Sequence, residues 1–263
     1  MNIKKHIPNS ITLCNLLCGC IAIKYAFADN LMTALLFIVL GALFDFFDGF
    51  AARKLGVSSP IGKELDSLAD VITFGLAPAT MVYSLLTAFT SIYASDAGIA
   101  LGDSPLRLVR YAAFLIAAFS ALRLANFNID ERQATSFIGL PTPANALLVA
   151  SVTITFSNHP DWLAANSSGW SYSLAGIVIL CALIILSCCL LVCSLPLFAL
   201  KFKHFGWQGN KVRYIFLLSA VALLAWGAMC SLTRLVAIVG AVIVWYVILS
   251  LFTAKKKDNN ERH

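Results

Sequence analysis

The sequence predicts an all-α protein, a polytopic transmembrane helical bundle of about eight spans, and three observations predict it. Of 263 residues, 60% are hydrophobic and only 12% are charged, a mixture that soluble domains do not carry. Apolar stretches near the ~20 residues needed to cross a bilayer core follow one another from Ile11 to Phe252. The polar breaks between them are too short to hold a soluble domain. The chain therefore reads as a single membrane domain, residues 1–254, with a basic, disordered tail at 255–263.

The first span is expected at 11–28. The short basic segment before it resembles a secretion signal, but no small-x-small cleavage site precedes the next apolar run at Leu31, so it is read as a retained helix. Spans follow at 31–52, 66–90, 107–125, 142–157, 172–195, 212–230 and 232–252. The break around Ser231 to Arg234 is the shortest, and fusing the last two spans there would leave seven.

With eight spans, Lys4, Lys5, Arg53, Lys54, Lys63, Arg123, Arg132, Lys201, Lys203 and the Lys255–Lys257 run fall on one face. The positive-inside rule places that face, with both termini and the active site, in the cytoplasm of a multi-pass cell-membrane protein. The net charge of +6 is matched to anionic lipid and not to nucleic acid, because no basic stripe carries interleaved aromatics. All eight cysteines lie in or beside apolar spans. Cys14, Cys18 and Cys20 share one helix, but no second ligand set has metal-binding spacing, so they are read as small buried hydrophobes.

Function is written in the carboxylates. Span two ends with Asp45 and Asp48, three apart, and span three opens with Asp66 and Asp70, four apart, so each pair shares a helix face. Ionised groups at membrane depth are costly and mark function by default. Four together need cations to neutralise them, and oxygen-only donors select hard divalent ions, Mg²⁺ or Mn²⁺. The bland alternative is that Arg53, Lys54 or Lys63 pairs with them across the turn. Glu64 is assigned to the helix start, where the dipole explains it.

Taken together, Asp45-x2-Asp48-Gly49-x2-Ala52-Arg53-x8-Gly62-x3-Asp66-x3-Asp70 resembles the full signature of the CDP-alcohol phosphotransferases. Pro8-Asn9-x2-Thr12-x2-Asn15, Leu122-Arg123-Leu124-Ala125-Asn126-Phe127-Asn128, Gly139-Leu140-Pro141-Thr142-Pro143 and Pro196-Leu197-Phe198 are similar to the membrane-bound phosphatidylserine synthase branch, whose members often carry a basic residue in place of Asn126.

The resemblance implies a six-helix core, a homodimer, and transfer of a phosphatidyl group from CDP-diacylglycerol to L-serine with release of CMP. It implies two metal ions held by Asp45, Asp48 and Asp66, with Asp70 beside or within the second site and acting as general base. Gly49, Ala52, Arg53 and Gly62 would line the CDP-diacylglycerol cleft, with Asn9 and Thr12 toward the cytidine. Serine's carboxylate needs a cation, and Arg123 is the best-placed one, with Asn126 and Asn128 as further polar contacts.

Two rivals remain at this level. Glycerol 3-phosphate or inositol phosphate as acceptor would call for more basic residues than Arg123, Arg132 and Lys63 provide. A cation or proton transporter would need carboxylates near the midplane and a path to both faces, whereas these gather at one end of two consecutive spans.

Overall fold

A computed structural model of the protein describes residues 6–57, 59–99, 105–129, 137–158, 169–193, 196–197 and 210–261. Helix α1 is His6–Phe27, α2 Leu31–Leu55, α3 Pro60–Asp70 and α4 Ala77–Asp96, with a π-helical stretch, Val71–Leu76, joining the last two. A short α5, Leu106–Val109, runs through a 3₁₀ turn into α6, Leu115–Ile129. Then come α7, Thr142–Ser157, α8, Gly169–Val192, α9, Lys211–Cys230, and α10, Leu232–Glu261. Among the described residues, seven helical stretches are long and apolar enough to cross a bilayer, and α7 is a further, shorter apolar helix.

The expected spans are all present, with instructive differences. The third begins at Pro60, not 66: Ser59 caps it, its Oγ accepting from Gly62 N at 3.0 Å, with Pro60 in the first turn. Glu64 therefore lies beyond the first turn, and the dipole argument for it fails. The helix then runs without interruption to Asp96. Pro78 has no N–H for the carbonyl of Phe74, and the helix widens just before it, with Ala77 N–H bonding Ile72 O. The break at Ser231 is real, since that residue is extended (φ −170°, ψ 158°) between α9 and α10. Residues 255–261, expected as an unstructured tail, continue α10.

An all-α reading also omits one detail, a two-residue antiparallel pairing of β1, Phe137–Ile138, with β2, Pro196–Leu197. The Gly139 turn (φ +73°) that follows β1 lies against the end of α8, where Leu140 N donates to Leu190 O at 2.8 Å.

Among the described residues two large apolar cores hold the bundle, beside a small one of Leu140, Leu148 and Val247. One joins α4, α6, α7 and α8 through Leu86, Phe89, Ile116, Val149, Leu180 and Ile184. The other joins α1, α2, α4, α7 and α10 through Ala26, Ile38, Phe74, Met81, Ala150 and Val236. Nine of the 16 residues of α7 are buried, so this helix is central and not lipid-facing. At about 1.5 Å per residue it spans about 24 Å. Buried hydroxyls along it are satisfied within the helix, Ser151 donating to Leu148 O at 2.8 Å and Thr153 to Val149 O at 2.7 Å. On the outside, Leu17, Phe46, Leu186, Leu218 and Met229 are exposed, as a lipid-facing surface requires.

Candidate active site

The site is built where three helix ends meet. Gly56, in the left-handed region (φ 63°, ψ 28°), ends α2 by returning its N–H to Ala52 O and Arg53 O. Ser59 and Pro60 then start α3 in the opposite direction. This hairpin sets the last turns of α2 facing α3, and the start of α1 closes the third side, with Thr12 Oγ1 2.5 Å from Asp48 Oδ2. The same hydroxyl is 3.1 Å from Pro8 O; its one proton goes to the carboxylate, the stronger acceptor.

Asp45, Asp48 and Asp66 each place a carboxylate oxygen within 4.8 Å of the other two. Asp70 is adjacent, since Asp45 lies within hydrogen-bonding reach of both Asp66 and Asp70. All four expected carboxylates are thus brought to one place, three as a mutual cluster and the fourth one helical turn deeper. Among the described residues none of them pairs with the neighbouring cations. Lys63 Nζ instead donates to Asn128 O at 3.0 Å, and Lys54 lies over the Phe50 ring. Asp66 Oδ1 is buried without a partner. Asp45, Asp48 and Asp66, crowded together and paired with no lysine or arginine among the described residues, fit a hard divalent cation and do not fit a structural ion pair.

A cavity of about 470 Å³ opens beside the cluster and is lined by Asn9, Thr12, Asp48, Gly49, Ala52, Arg53, Gly62, Lys63 and Asp66, among others. All six residues expected around CDP-diacylglycerol therefore share one cavity. Gly62 allows α1 to come close, because a Cβ there would stand 3.1 Å from both Asn9 Oδ1 and Ser59 Oγ. At Gly49 a Cβ would meet only the Arg53 guanidinium, at 3.6 Å, so the small residue leaves space in the cavity and does not serve packing.

The residues expected to hold the acceptor are less uniform. Arg123 is buried in α6, its Nε has no partner, and its charge faces Asp70. Asn126 is exposed. Asn128 ties α6 to α3, its Nδ2 donating to Ser67 Oγ at 2.9 Å. None of the three lines the cavity. Arg132 lies outside the described residues.

Two residues were given no site role in the sequence reading, although Asn15 stands in the pattern Pro8-Asn9-x2-Thr12-x2-Asn15. Asn15 is fully buried and donates to Asp70 Oδ1 at 3.2 Å; its spacing of three from Thr12 was the available signal, since both lie on one face of α1. Asn145 on α7 accepts from Ser187 Oγ at 2.9 Å while its Nδ2 is buried and unpartnered. An asparagine among alanines gave no distinguishing spacing.

Residues 5–188 match the family model for CDP-alcohol phosphatidyltransferase. The chain belongs to that family. Its members generally use divalent metals, in keeping with the acidic cluster, and as a member with seven long apolar helices the chain is a multi-pass membrane protein. Within the family it is similar to the CDP-diacylglycerol–serine O-phosphatidyltransferase of Bacillus subtilis (strain 168), 38% identical over 167 residues, 64% of this chain and 85% of the relative. It is 36% identical over 143 residues to the enzyme of the same name from Methanocaldococcus jannaschii, 54% of this chain and 58% of that one. An archaetidylserine synthase from Methanothermobacter thermautotrophicus is 33% identical over 151 residues, 57% and 58% of the two chains. The match thus spans most of the Bacillus protein and under three-fifths of the two archaeal ones.

Proposed function

We propose that the protein transfers the phosphatidyl group of CDP-diacylglycerol to L-serine, giving phosphatidylserine and CMP. The observation that carries the reading is the unneutralised cluster of Asp45, Asp48 and Asp66 opening onto the Arg53 cavity. The names of the similar proteins support serine as acceptor. Serine Oγ bonds to the phosphorus that bears diacylglycerol, the bond from that phosphorus to the CMP oxygen breaks, and the serine proton passes to Asp70.

Asp45, Asp48 and Asp66, with Asp70 beside them, hold two divalent ions, Mg²⁺ or Mn²⁺. Such ions, when bound, supply Lewis-acid stabilisation of the pyrophosphate and of the leaving CMP. Arg53 meets phosphate oxygens with its planar fork. Gly49, Ala52 and Gly62 leave room for the nucleotide, Asn9 and Thr12 lie toward the cytidine, and Thr12 also orients Asp48. Arg123 takes serine's carboxylate, assisted by Asn126 and by the free face of the Asn128 amide.

The site end carries Arg53, Lys54 and Lys63, which supports placing it in the cytoplasm beside anionic headgroups. The working unit is a homodimer of single membrane domains, residues 1–254, each followed by the basic 255–263 end.

The test is CMP release by the purified protein given CDP-diacylglycerol, Mg²⁺ or Mn²⁺, and serine, glycerol 3-phosphate or inositol phosphate. Release that needs serine and is lost in Asp70→Asn is the expected result. Release with another acceptor would replace serine and keep the chemistry, and no metal-dependent release from folded protein would overturn the proposal.

A further inference from the structure

We infer that Asn15 is a positioning residue that sets the aim of Asp70; the inference rests on the reading of Asp70 as the group that takes the acceptor's proton. Asn15 is fully buried in α1, and its Nδ2 donates to Asp70 Oδ1 at 3.2 Å. Facing a carboxylate, the amide must present its N–H₂ side, so Oδ1 points away. It points to Gly41 of α2, where a Cβ would stand only 2.9 Å from Asn15 Oδ1. The missing side chain at Gly41 makes room for the amide and for the Thr73 methyl, from which a Cβ would stand 2.5 Å.

The backbone of Asn15 is held as well. Thr73 Oγ1 donates to Asn15 O at 3.0 Å, and Thr73 is pressed against Gly19, where a Cβ would stand 2.9 Å from Thr73 Cα. Thr73 lies in the π-helical stretch that begins immediately after Asp70. One residue of α1 therefore grips the third span twice, by its side chain at Asp70 and by its carbonyl at Thr73. One oxygen of Asp70 is tied to Asn15, while Asp45 of the acidic cluster lies within hydrogen-bonding reach of the same carboxylate.

Asn15 does not line the cavity, so its effect falls on turnover and not on substrate affinity. Loss of a group that orients a reacting side chain costs about 10- to 100-fold. Asn15→Leu keeps the branching and the number of side-chain heavy atoms while removing the donor, although its methyl groups are bulkier. The expected result is a 10- to 100-fold fall in kcat, with KM for CDP-diacylglycerol and for the acceptor within about threefold, an unchanged melting temperature, and retained CDP-diacylglycerol binding. Asn15→Ala, which fits without crowding, should show the same fall, and Thr73→Val a smaller one. If Asn15→Leu does not fold, these two variants decide.

Wild-type kcat in the Leu and Ala variants, measured with whichever acceptor supports CMP release, would overturn the inference and reduce Asn15 to packing. A raised KM or lost CDP-diacylglycerol binding at unchanged kcat would overturn it in favour of a role in shaping the cavity. Asp70→Asn in the same assay separates the two levels. If that variant turns over normally, the reading of Asp70 has failed and the inference with it; if it is inactive while Asn15→Leu is normal, only the inference has failed.

Discussion

The α1–α3 unit and the α9–α10 hairpin both pack against the rest of the bundle through closely approaching helices, yet they are held together by different chemistry. In α1–α3 the contacts are buried polar ones, Thr12 to Asp48, Asn15 to Asp70 and Thr73 to Asn15, with glycines 19 and 41 making the approach possible. The hairpin is joined by apolar contact around Gly227, where a Cβ would stand 2.7 Å from Ile238 Cδ1, with Trp245 Nε1 donating to Ser219 Oγ at 3.2 Å. Its outer face, with Leu218, Val221, Trp226 and Met229, is turned to lipid. The hairpin also lies beyond the family-matched residues 5–188. The difference teaches that buried polar contacts join the helices that carry the carboxylates, whereas the helices beyond the family-matched residues are joined mainly by apolar packing.

That contrast can be broken at either end. The largest effect is expected from Asp66→Asn, which removes a cluster oxygen: CMP release should fall by at least about 100-fold with no loss of thermal stability. Arg123→Met should raise KM for serine about 10- to 100-fold, the worth of a charge-assisted hydrogen bond, with little change in KM for CDP-diacylglycerol. Thr12→Val should lower kcat about 10-fold, as loss of an orienting partner does.

Gly62→Ala should raise KM for CDP-diacylglycerol by a few fold, because the new Cβ crowds Asn9 and Ser59. In the hairpin, Gly227→Val should cost about 1–3 kcal/mol of stability through overpacking, read as a melting temperature lower by a few degrees, and leave kcat unchanged. A turnover defect from Gly227→Val, or a normal turnover in Asp66→Asn, would erase the contrast.

Much of this was readable before any coordinates. The span positions follow from hydropathy, and the Asp45–Asp70 pattern places four carboxylates on facing helices because i, i+3 and i, i+4 residues share a face. Boundaries were less legible. The start of α3 was set by Ser59 and Pro60, an N-cap signal masked by the polar run up to Glu64. The π-helical stretch depends on Pro78 acting several residues upstream, and it brings Thr73 to Asn15. Asn15 itself sits in a helix of cysteines and leucines, and its role depends on a contact 55 residues away in the chain. Gly19 and Gly41 looked like ordinary small residues for helix packing until their neighbours were known.

The acidic cluster has a thermodynamic side. Any cation that binds the folded arrangement and ignores the unfolded chain adds RT ln(1 + [L]/Kd) to stability, about 2.7 kcal/mol at a hundred times Kd. Because Asp45, Asp48 and Asp66 come from two helices and are braced by a third, that free energy is delivered to the α1–α3 unit itself. The melting temperature thus becomes a meter of occupancy, and a metal titration followed by heat reports on the site without any turnover at all.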